Sequence, residues 1–471
     1  MIERSLHTRP FWLAFIGVSC LAIDLTVATA DETTFERSTV KAWIKGGKPE
    51  TKKLRTLSHD VAIPTNHAHS LNRYGGTEAY PPSEATRFFR TASIAGRWWL
   101  IDPDGHRFLH VAVNSVKPYS GPTFREAFPK KFASNQDWAA QTVGLLHDHG
   151  FNGTGAWTDN GLLGSAGPRL VYTRMLNVMS SFGRKLKLTS QGTGHTSYKD
   201  RLIPVFHPKF PAHCRQVVQQ LDATKDDPYL LGIFSDNELE HNELALDLHL
   251  DFPPDSPERH AAQQWLAQHY PDIRVPRDLT DQIREAYVGH MFETYFAIVG
   301  RAIRSVDANH LYLGSRLHGA TKKNRWLLAG AGKHLDVVAV NVYGVWTPTK
   351  SVRKWSRWSG RPLLVTEFYA KGQDSGLANL SGAGWTVPTQ SDRGRFYQHF
   401  TLGLLESRVC VGWHYFKYAD NDPLDMTTDP SNRDSNKGIL NSSYEPWTEF
   451  LNRMRALNAR VYSIAEHFDA D

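Results

Sequence analysis

Acidic side chains follow an apolar run in the segment YLLGIFSDNELEHNE, residues 229–243. The acids of this segment are Asp236, Glu238, Glu240 and Glu243. A single acid, Glu367, follows a second apolar run, RPLLVTEFY, at residues 361–369. A carboxyl group held at the end of a buried strand can transfer a proton or attack an electrophilic carbon. In a surface loop the same acids would be solvated, and a closely spaced set could instead hold a metal ion.

Short apolar runs alternate with helical patterns from residue 110 onward. The runs occupy residues 110–114, 151–157, 169–178, 229–238, 311–316, 335–344, 361–369 and 408–418. Helical periodicity is found at residues 138–149, 211–223, 256–269 and 279–306, with a final helix near 446–460. Continuously apolar strands are buried on both faces, and helices between them make a sheet parallel. Eight such units predict an α/β fold, a (β/α)8 TIM barrel with a helical insertion after strand 4.

Barrels of this kind carry their chemistry at the carboxyl ends of the strands. Strand four would deliver Asn237 and Glu238 to that mouth, and strand seven would deliver Glu367. Two carboxyl groups across one mouth can hydrolyse a glycosidic bond, with retention if they are close and inversion if a water fits between them. The sequence does not measure this gap. The structural alternative is that one glutamate is the buried ion-pair partner of an arginine such as Arg316.

The remaining acids of the first segment have different predicted environments. Asp236 should point away from the mouth because neighbouring side chains of a strand alternate, and we interpret it as structural. Glu240 and Glu243 fall beyond the strand, where we expect both to be solvated.

Six segments carry a family resemblance in addition to these positions. They are GRWWLIDPDGHRF, LLGIFSDNE, NHLYLGSR, DVVAVNVYG, PLLVTEFYAKG and GWHYFKYADND, within residues 90 to 450. Together they resemble the β-agarases of glycoside hydrolase family 50, and more widely the retaining glycoside hydrolases of clan A. The resemblance implies that Glu238 is the acid/base, that Glu367 is the nucleophile and that Asn237 donates to the sugar 2-hydroxyl.

The same resemblance implies roles for aromatic residues at two strand ends. Tyr343, after strand six, would orient the nucleophile, and Trp413, after strand eight, would form the platform beneath the sugar. Both residues have an ordinary core alternative. By position alone, four further strand-end residues are candidate hydroxyl or sulfate contacts: Arg316, His318, Trp157 and Asn114.

The chain divides into three predicted parts. Residues 1–30 have the charge, apolar run and small-residue cleavage site of a signal peptide, so we expect a secreted or periplasmic protein. Residues 31–90 form an N-terminal extension, and residues 91–471 form the catalytic domain. The family's agarases carry a carbohydrate-binding domain before the barrel, and residues 31–90 are too few and too weakly patterned for one. That difference puts an exo-acting tunnel in doubt.

Most of the +6 net charge lies in KAWIKGGKPETKKLR, residues 41–55. This segment is either a solvated, partly disordered linker or a contact for an anionic polymer. After loss of the signal peptide only Cys214 and Cys410 remain, which provides no disulfide framework or zinc site, and we expect both to be buried. The oxygen-rich segment 419–438 misses the spacing of a Ca²⁺ loop.

The leading hypothesis is a secreted retaining β-glycoside hydrolase that cleaves β-galactosidic bonds in an agar-type galactan by double displacement. Its partner would be a polysaccharide or oligosaccharide, with or without sulfate esters, and we expect no cofactor, no metal, no nucleic acid and no membrane span. A β-galactosidase, or a carrageenan or porphyran hydrolase, on the same barrel is the first alternative. A non-catalytic polysaccharide-binding protein is the second, although a binder would not need both glutamates.

Overall fold

The computed structural model describes residues 35–58, 69–191, 195–273, 278–427 and 433–470. The predicted signal peptide, residues 1–30, lies outside these described residues, as does part of the extension.

Eight parallel strands form the centre of the molecule and confirm the predicted barrel-type sheet. In chain order they are His110–Val113, Gly153–Thr154, Val171–Met175, Leu230–Phe234, Leu311–Gly314, Val338–Asn341, Leu363–Glu367 and Cys410–Tyr415. We number them barrel strands one to eight. Consecutive strands pair with each other except for strands five and six, and strand eight pairs with strand one, so the sheet curls back on itself.

The ring is completed between strands five and six by a short connection. These strands form no continuous ladder, but Leu317, just beyond strand five, bridges to Val340 in strand six. The Leu317 amide donates to the Ala339 carbonyl and the Asn341 amide donates to the Leu317 carbonyl, both at 2.9 Å. The eight carboxyl ends therefore face one mouth.

Two apolar layers hold the barrel together. Its interior is filled by side chains such as Leu231, Leu313, Ala339, Leu364 and Val411. A larger cluster lies between the outer faces of the strands and the surrounding helices. Seven of the eight strands are buried throughout, and strand three is buried except at Arg174 and Met175, which explains why the strands are largely apolar.

Helices pack around the barrel. They are Pro122–Lys131, Asn135–Asp148, Asn160–Leu163, Val178–Lys185, Phe210–Val217, Ala245–Leu250, Pro257–His269, Asp281–Arg304, Arg325–His334, Thr349–Ser359, Gln390–Glu406, Thr448–Asn458 and Val461–Ala470. Three of them separate strand four from strand five, and the last one was not predicted. Within the described ranges, no helix combines the length and apolarity that a membrane crossing needs.

The N-terminal residues are ordered against the barrel. Strands Phe35–Ala42 and Glu50–Leu57 form an antiparallel hairpin, and Arg55 of this hairpin pairs with Glu406 at 2.5 Å. The backbone amide of Arg55 also donates to His399. The expectation of partial disorder in residues 41–55 is therefore wrong for the paired strands, whereas residues 44–51 are exposed to solvent as expected.

A three-stranded antiparallel sheet leads into barrel strand one. Its strands are Arg90–Ile94, Arg97–Ile101 and Arg107–Phe108. A turn lies between the last two strands, where the Gly105 amide donates to the Asp102 carbonyl and Gly105 has a φ of 96°. Glycine is suited to this left-handed position because it has no Cβ.

Four buried histidines predict an acid-sensitive fold. They are His110, His241, His249 and His399. Burial lowers the pKa of each from 6.5 to about 4. The unfolded chain therefore binds more protons between pH 6.5 and about 4, so the stability these histidines contribute is present above 6.5 and lost as the pH falls toward 4. We expect scanning calorimetry to give a lower Tm near pH 5 than near pH 7; equal values would contradict this account.

Candidate active site

Glu238 lies just beyond barrel strand four and faces the mouth. Its Oε1 accepts a hydrogen bond from Asn341 Nδ2 at 2.7 Å. His318 Nδ1 lies 3.6 Å from the same oxygen, and His195 Nδ1 lies 3.8 Å from Oε2. The side chain of Glu238 is 10 % exposed. It therefore remains reachable from the mouth, with one amide donor and two imidazoles around it.

Glu367 ends barrel strand seven and is held by two donors. Arg316 Nη2 donates to Oε1 at 2.6 Å, and the Tyr343 hydroxyl donates to Oε2. Burial raises the pKa of the Glu367 carboxyl above its ordinary value, as does nearby Glu238, whereas Arg316 and Tyr343 stabilise the ionised form. Arg316 is fully buried and cannot lose its proton, so a neutral Glu367 would leave that charge unpaired. The contacts with Arg316 and Tyr343 therefore favour the carboxylate form of Glu367.

Two amide side chains connect the halves of the site. Asn237 Oδ1 accepts from Arg316 Nη1 at 2.9 Å, which leaves its Nδ2 as the group able to donate to a ligand. Asn341 binds Glu238 through Nδ2, while its Oδ1 accepts from the Thr366 hydroxyl at 2.7 Å. The carboxyl ends of strands four to seven are thus tied into one polar network.

The backbone turns sharply just beyond five of the strands. Ser115, Trp157, Asn177, Glu238 and Arg316 have φ values between 49° and 66°. Non-glycine residues rarely adopt this region, and such strain is typical of sites where side chains are held in a set direction. Glu238 and Arg316, which follow strands four and five, both belong to the network around the carboxylates.

The other three acids of residues 229–243 lie in different environments, and two of them agree with the predictions. Asp236 is buried and accepts from the amides of Met179 and Ser180 and from the Tyr295 hydroxyl, so its structural interpretation is confirmed. Glu243 is exposed as expected. The expectation for Glu240 is wrong, because its carboxylate is largely buried and accepts from the Tyr198 amide at 2.8 Å.

Arg316 and Asn114 do not contact the open mouth, which corrects their prediction as sugar contacts. Both side chains are fully buried. Asn114 Nδ2 and Arg316 Nη2 donate to the same carbonyl, that of Thr366, at 2.8 and 3.1 Å. Both hydrogen bonds hold the backbone of strand seven at the residue before Glu367. Arg316 instead forms the buried ion pair that the sequence offered as an alternative. Its partner is Glu367, the candidate nucleophile.

Trp413 does not lie under the mouth either. Its ring is fully buried between the barrel and the outer helices, and its indole N–H donates to the Tyr397 hydroxyl at 2.8 Å. The next residue, His414, points inward and contacts His110 at 2.9 Å. Because side chains alternate along a strand, Trp413 must face outward. Its prediction as a sugar platform is therefore wrong.

Trp157 is the tryptophan that the structure leaves accessible near the carboxylates. It is 36 % exposed, and the Arg316 guanidinium lies 5.8 Å from its ring centroid. Its ring also lines a cavity of about 660 Å³ along the outer wall, beside the one-turn helix Asn160–Leu163. We therefore predict that Trp157, rather than Trp413, is the aromatic surface on which a sugar stacks.

We expect Trp157→Ala to raise KM by about fivefold, since an aromatic contact contributes on the order of 1 kcal/mol. Trp413→Phe is the matched control: it removes a buried hydrogen bond and should lower Tm while leaving KM near the wild-type value. Steady-state kinetics and melting curves for both variants test this pair. A larger KM effect at Trp413 than at Trp157 would reverse our assignment.

Tyr343 and His318 lie beyond the carboxyl ends of strands six and five, the positions expected from the sequence. The Tyr343 ring centroid is 5.7 Å from that of His318 and 5.2 Å from that of Tyr369. Burial, followed by Lys322, lowers the pKa of His318 to about 4, so its imidazole is neutral in neutral solution. His318 is partly exposed and stands beside Glu238.

Two residues of the site were missed from the sequence. Asn341 ends strand six, so the strand-end rule could have found it. His195 lies on a hairpin after strand three, formed by Thr189–Gln191 and Thr196–Tyr198, and no sequence signal marked it. Among the described residues, no group of three or more His, Cys, Asp or Glu side chains is placed to hold a metal ion.

A parallel barrel with carboxylates at the ends of strands four and seven is the arrangement that glycoside hydrolysis needs. The solved structure titled "Crystal structure of BpGH50" is 30 % identical to it, with a TM-score of 0.79 over 92 % of this chain and 96 % of that one. The chain belongs to glycoside hydrolase family 50. No protein-family profile matches the sequence.

Further relatives are more distant. Beta-agarase B of Vibrio sp. (strain JT0107) is 21 % identical over 496 residues, which cover 83 % of this chain and 50 % of the relative. The agarase AgWH50C shares the fold, with 19 % identity and a TM-score of 0.67 over 85 % of this chain and 67 % of that one. The chain spans about half the length of the curated relatives it matches. These comparisons address the family, and the wider assignment to clan A stays a prediction.

Proposed function

We propose that the chain is a retaining β-glycoside hydrolase that cleaves β-galactosidic bonds of an agar-type galactan by double displacement. The observation that carries the proposal is the unequal environment of the two glutamates. Glu367 is held as a carboxylate by Arg316 and Tyr343, whereas Glu238 has only an amide donor and neighbouring imidazoles. The β-agarase names of the curated relatives support the substrate class.

In the first step the Glu367 carboxylate attacks the anomeric carbon while Glu238 gives its proton to the glycosidic oxygen. The bond from the anomeric carbon to the leaving sugar breaks as the bond to Glu367 Oε2 or Oε1 forms, and the leaving sugar departs as an alcohol. The product of this step is a covalent glycosyl ester with inverted configuration.

In the second step Glu238, now ionised, removes a proton from water. The water oxygen attacks the anomeric carbon and Glu367 leaves as the carboxylate, which restores the starting protonation state and the original configuration. In this proposal Asn237 donates to the sugar 2-hydroxyl through Nδ2, since its Oδ1 already accepts from Arg316.

A substrate panel with product analysis tests this proposal. Agarose, porphyran, carrageenans and simple β-galactosides should be incubated with the enzyme, and the products sized and examined by proton NMR immediately after cleavage. We expect cleavage of agarose with β-configured reducing ends at first. Initial release of α-configured ends would overturn retention, and a lack of cleavage of agarose would overturn the substrate.

The same panel separates the alternatives. Cleavage of only small β-galactosides would favour a β-galactosidase, and preference for a sulfated polymer would favour a carrageenan or porphyran hydrolase. Binding to a polymer without any cleavage would favour a non-catalytic polysaccharide-binding protein.

We also propose that the protein is exported, with cleavage after Ala30. The basis is the sequence of residues 1–30 alone. Mass spectrometry of the protein expressed from the whole chain should find a mature form beginning at Asp31. Retention of residues 1–30 in the cell interior would contradict export.

A further inference from the structure

Glu240 is a largely buried carboxylate that the two catalytic steps do not use. Its side chain is 14 % exposed. Oε1 accepts from the Tyr198 amide at 2.8 Å, and Arg201 Nε lies 3.6 Å from Oε2. A carboxylate is unfavourable in a buried position unless donors or opposite charges compensate it. Glu240 is thus held in place by contacts, two residues beyond the acid/base, and the group on its remaining side shows what it can do.

That group is the imidazole of His195, which lies between Glu240 and Glu238. Its Nε2 is 3.8 Å from Glu240 Oε2, and its Nδ1 is 3.8 Å from Glu238 Oε2. Both separations exceed a hydrogen bond, and catalytic hydrogen bonds commonly reach their full length only when substrate binds. The imidazole is 25 % exposed and borders the mouth. One histidine ring therefore faces a carboxyl group with each of its nitrogens.

The hairpin after strand three brings His195 to this position. Strand Thr189–Gln191 pairs with strand Thr196–Tyr198, and His195 directly precedes the second strand. Tyr198 is buried in the core outside the barrel strands, and its amide donates to Glu240. The hairpin is therefore tied to the segment that carries both Glu238 and Glu240, which keeps His195 between them.

The hydrogen bonds of Glu238 determine where its acid proton lies. Oε1 already accepts from Asn341 Nδ2 at 2.7 Å, so the proton needed in the first step is on Oε2, which faces His195 Nδ1. Two hydrogens do not face each other, so Nδ1 is then the unprotonated nitrogen and Nε2 carries the hydrogen, directed at Glu240 Oε2. One donor–acceptor order therefore runs from Glu238 through His195 to Glu240.

We propose that His195, oriented by Glu240, is a positioning residue that holds the acid proton of Glu238 until the glycosidic oxygen takes it. A carboxylate behind an imidazole selects the tautomer of the ring in the same way in the serine hydrolases. The proton leaves Glu238 in the first step and returns from water in the second, so His195 neither gains nor loses a proton over the cycle. The proposal rests on the proposed function for the acid/base role of Glu238.

Glu240→Gln tests the orientation, because glutamine keeps the size of the side chain and can still accept from the Tyr198 amide. Its amide nitrogen is a donor, which makes His195 Nε2 the acceptor and directs the Nδ1 hydrogen at Glu238. We expect kcat/KM on the polymer to fall by about tenfold or more. Hydrolysis of an aryl galactoside whose leaving group needs no proton should change little. Glu243→Gln, which alters an exposed acid of the same segment, is the matched control.

The pH profile on the polymer gives a second readout. Removing an acceptor for the acid proton disfavours the protonated acid, so the alkaline limb of kcat/KM should move to lower pH by about one pH unit in His195→Ala and in Glu240→Gln. A cationic His195 would instead favour the carboxylate of Glu238, and a limb moved to higher pH would overturn the proposal. Ionisable side chains that face this pair from other elements are unchanged in both variants: His318, Lys322, Glu367 and Arg201.

NMR of the histidine nitrogens provides a readout independent of hydrolysis. Long-range proton–nitrogen spectra of protein labelled at histidine distinguish the two neutral tautomers, and the spectrum of His195→Ala identifies the His195 signals. Near neutral pH we expect the Nε2–H form in the wild type and the Nδ1–H form in Glu240→Gln. The same tautomer in both proteins would overturn the proposal. If His195→Ala does not fold, His195→Phe, which keeps a ring without nitrogens, serves for the same measurements.

The outcomes separate this proposal from the proposed function. Equal losses on polymer and aryl galactoside with an unmoved alkaline limb would show that His195 and Glu240 only support the fold, and would overturn the proposal. Wild-type activity of Glu240→Gln on the polymer would do the same. The expected tautomers in a chain that cleaves no galactan would instead leave the orientation of His195 by Glu240 standing and overturn the proposed hydrolysis.

Discussion

Glu367→Ala is expected to lower kcat by about four orders of magnitude or more, because the variant lacks the group that forms the covalent intermediate. The loss should be in kcat rather than in KM, since Glu367 acts at the reacting carbon. Glu367→Gln keeps the size of the side chain and should be comparably inactive. Initial rates with an aryl β-galactoside and with the cleaved polymer measure both variants.

Azide distinguishes a missing nucleophile from a damaged site. In Glu367→Ala the space left by the carboxylate can admit azide, which attacks from the same face and gives a glycosyl azide of inverted configuration. Rescue should be weaker in Glu367→Gln, where the amide fills the space. Near wild-type activity in either variant, or an azide product of retained configuration, would remove Glu367 from the role of nucleophile.

Glu238→Gln has the second largest expected effect, a fall in kcat of about 10²- to 10⁴-fold on polymer substrates, because the leaving sugar must then depart without a proton. An aryl galactoside whose leaving group needs no proton should be affected less in the first step. Comparing the two substrate types therefore isolates proton donation from binding.

A matched azide experiment assigns Glu238 independently. In Glu238→Ala, azide can replace water in the second step, where it needs no base, and the product should keep the original β configuration. The azide product is therefore expected to have inverted configuration in Glu367→Ala and the original β configuration in Glu238→Ala. An equal loss on both substrate types, with an inverted azide product, would mean that the two roles had been exchanged.

The sequence by itself determined the barrel and the position of its chemistry. Continuous apolarity marked all eight strands, since strands buried on both faces leave no polar alternation. The carboxyl-end rule then selected Glu238 and Glu367, because the direction of parallel strands is the same around the ring. The same rule located Tyr343 at the end of strand six, where its hydroxyl reaches Glu367.

The direction in which each strand-end side chain points was decided only by the tertiary structure. Trp413 and His414 are adjacent, and the phase of strand eight turned the tryptophan outward and the histidine inward. The pairing of strands six and seven shifts register between Val340 and Asn341, which sets Asn341 opposite Glu367. Register and phase arise from contacts between residues distant in the chain, so local patterns could not reveal them.

Charge compensation was likewise invisible in the sequence. Arg316 is a buried partner of Glu367, and the buried ammonium of Lys371 is compensated by the carbonyls of Asn379 and Ser381. Local composition predicted which residues are polar. Only the packed structure decided which of their charges are paired, because the partners come from different strands and loops that the barrel brings together.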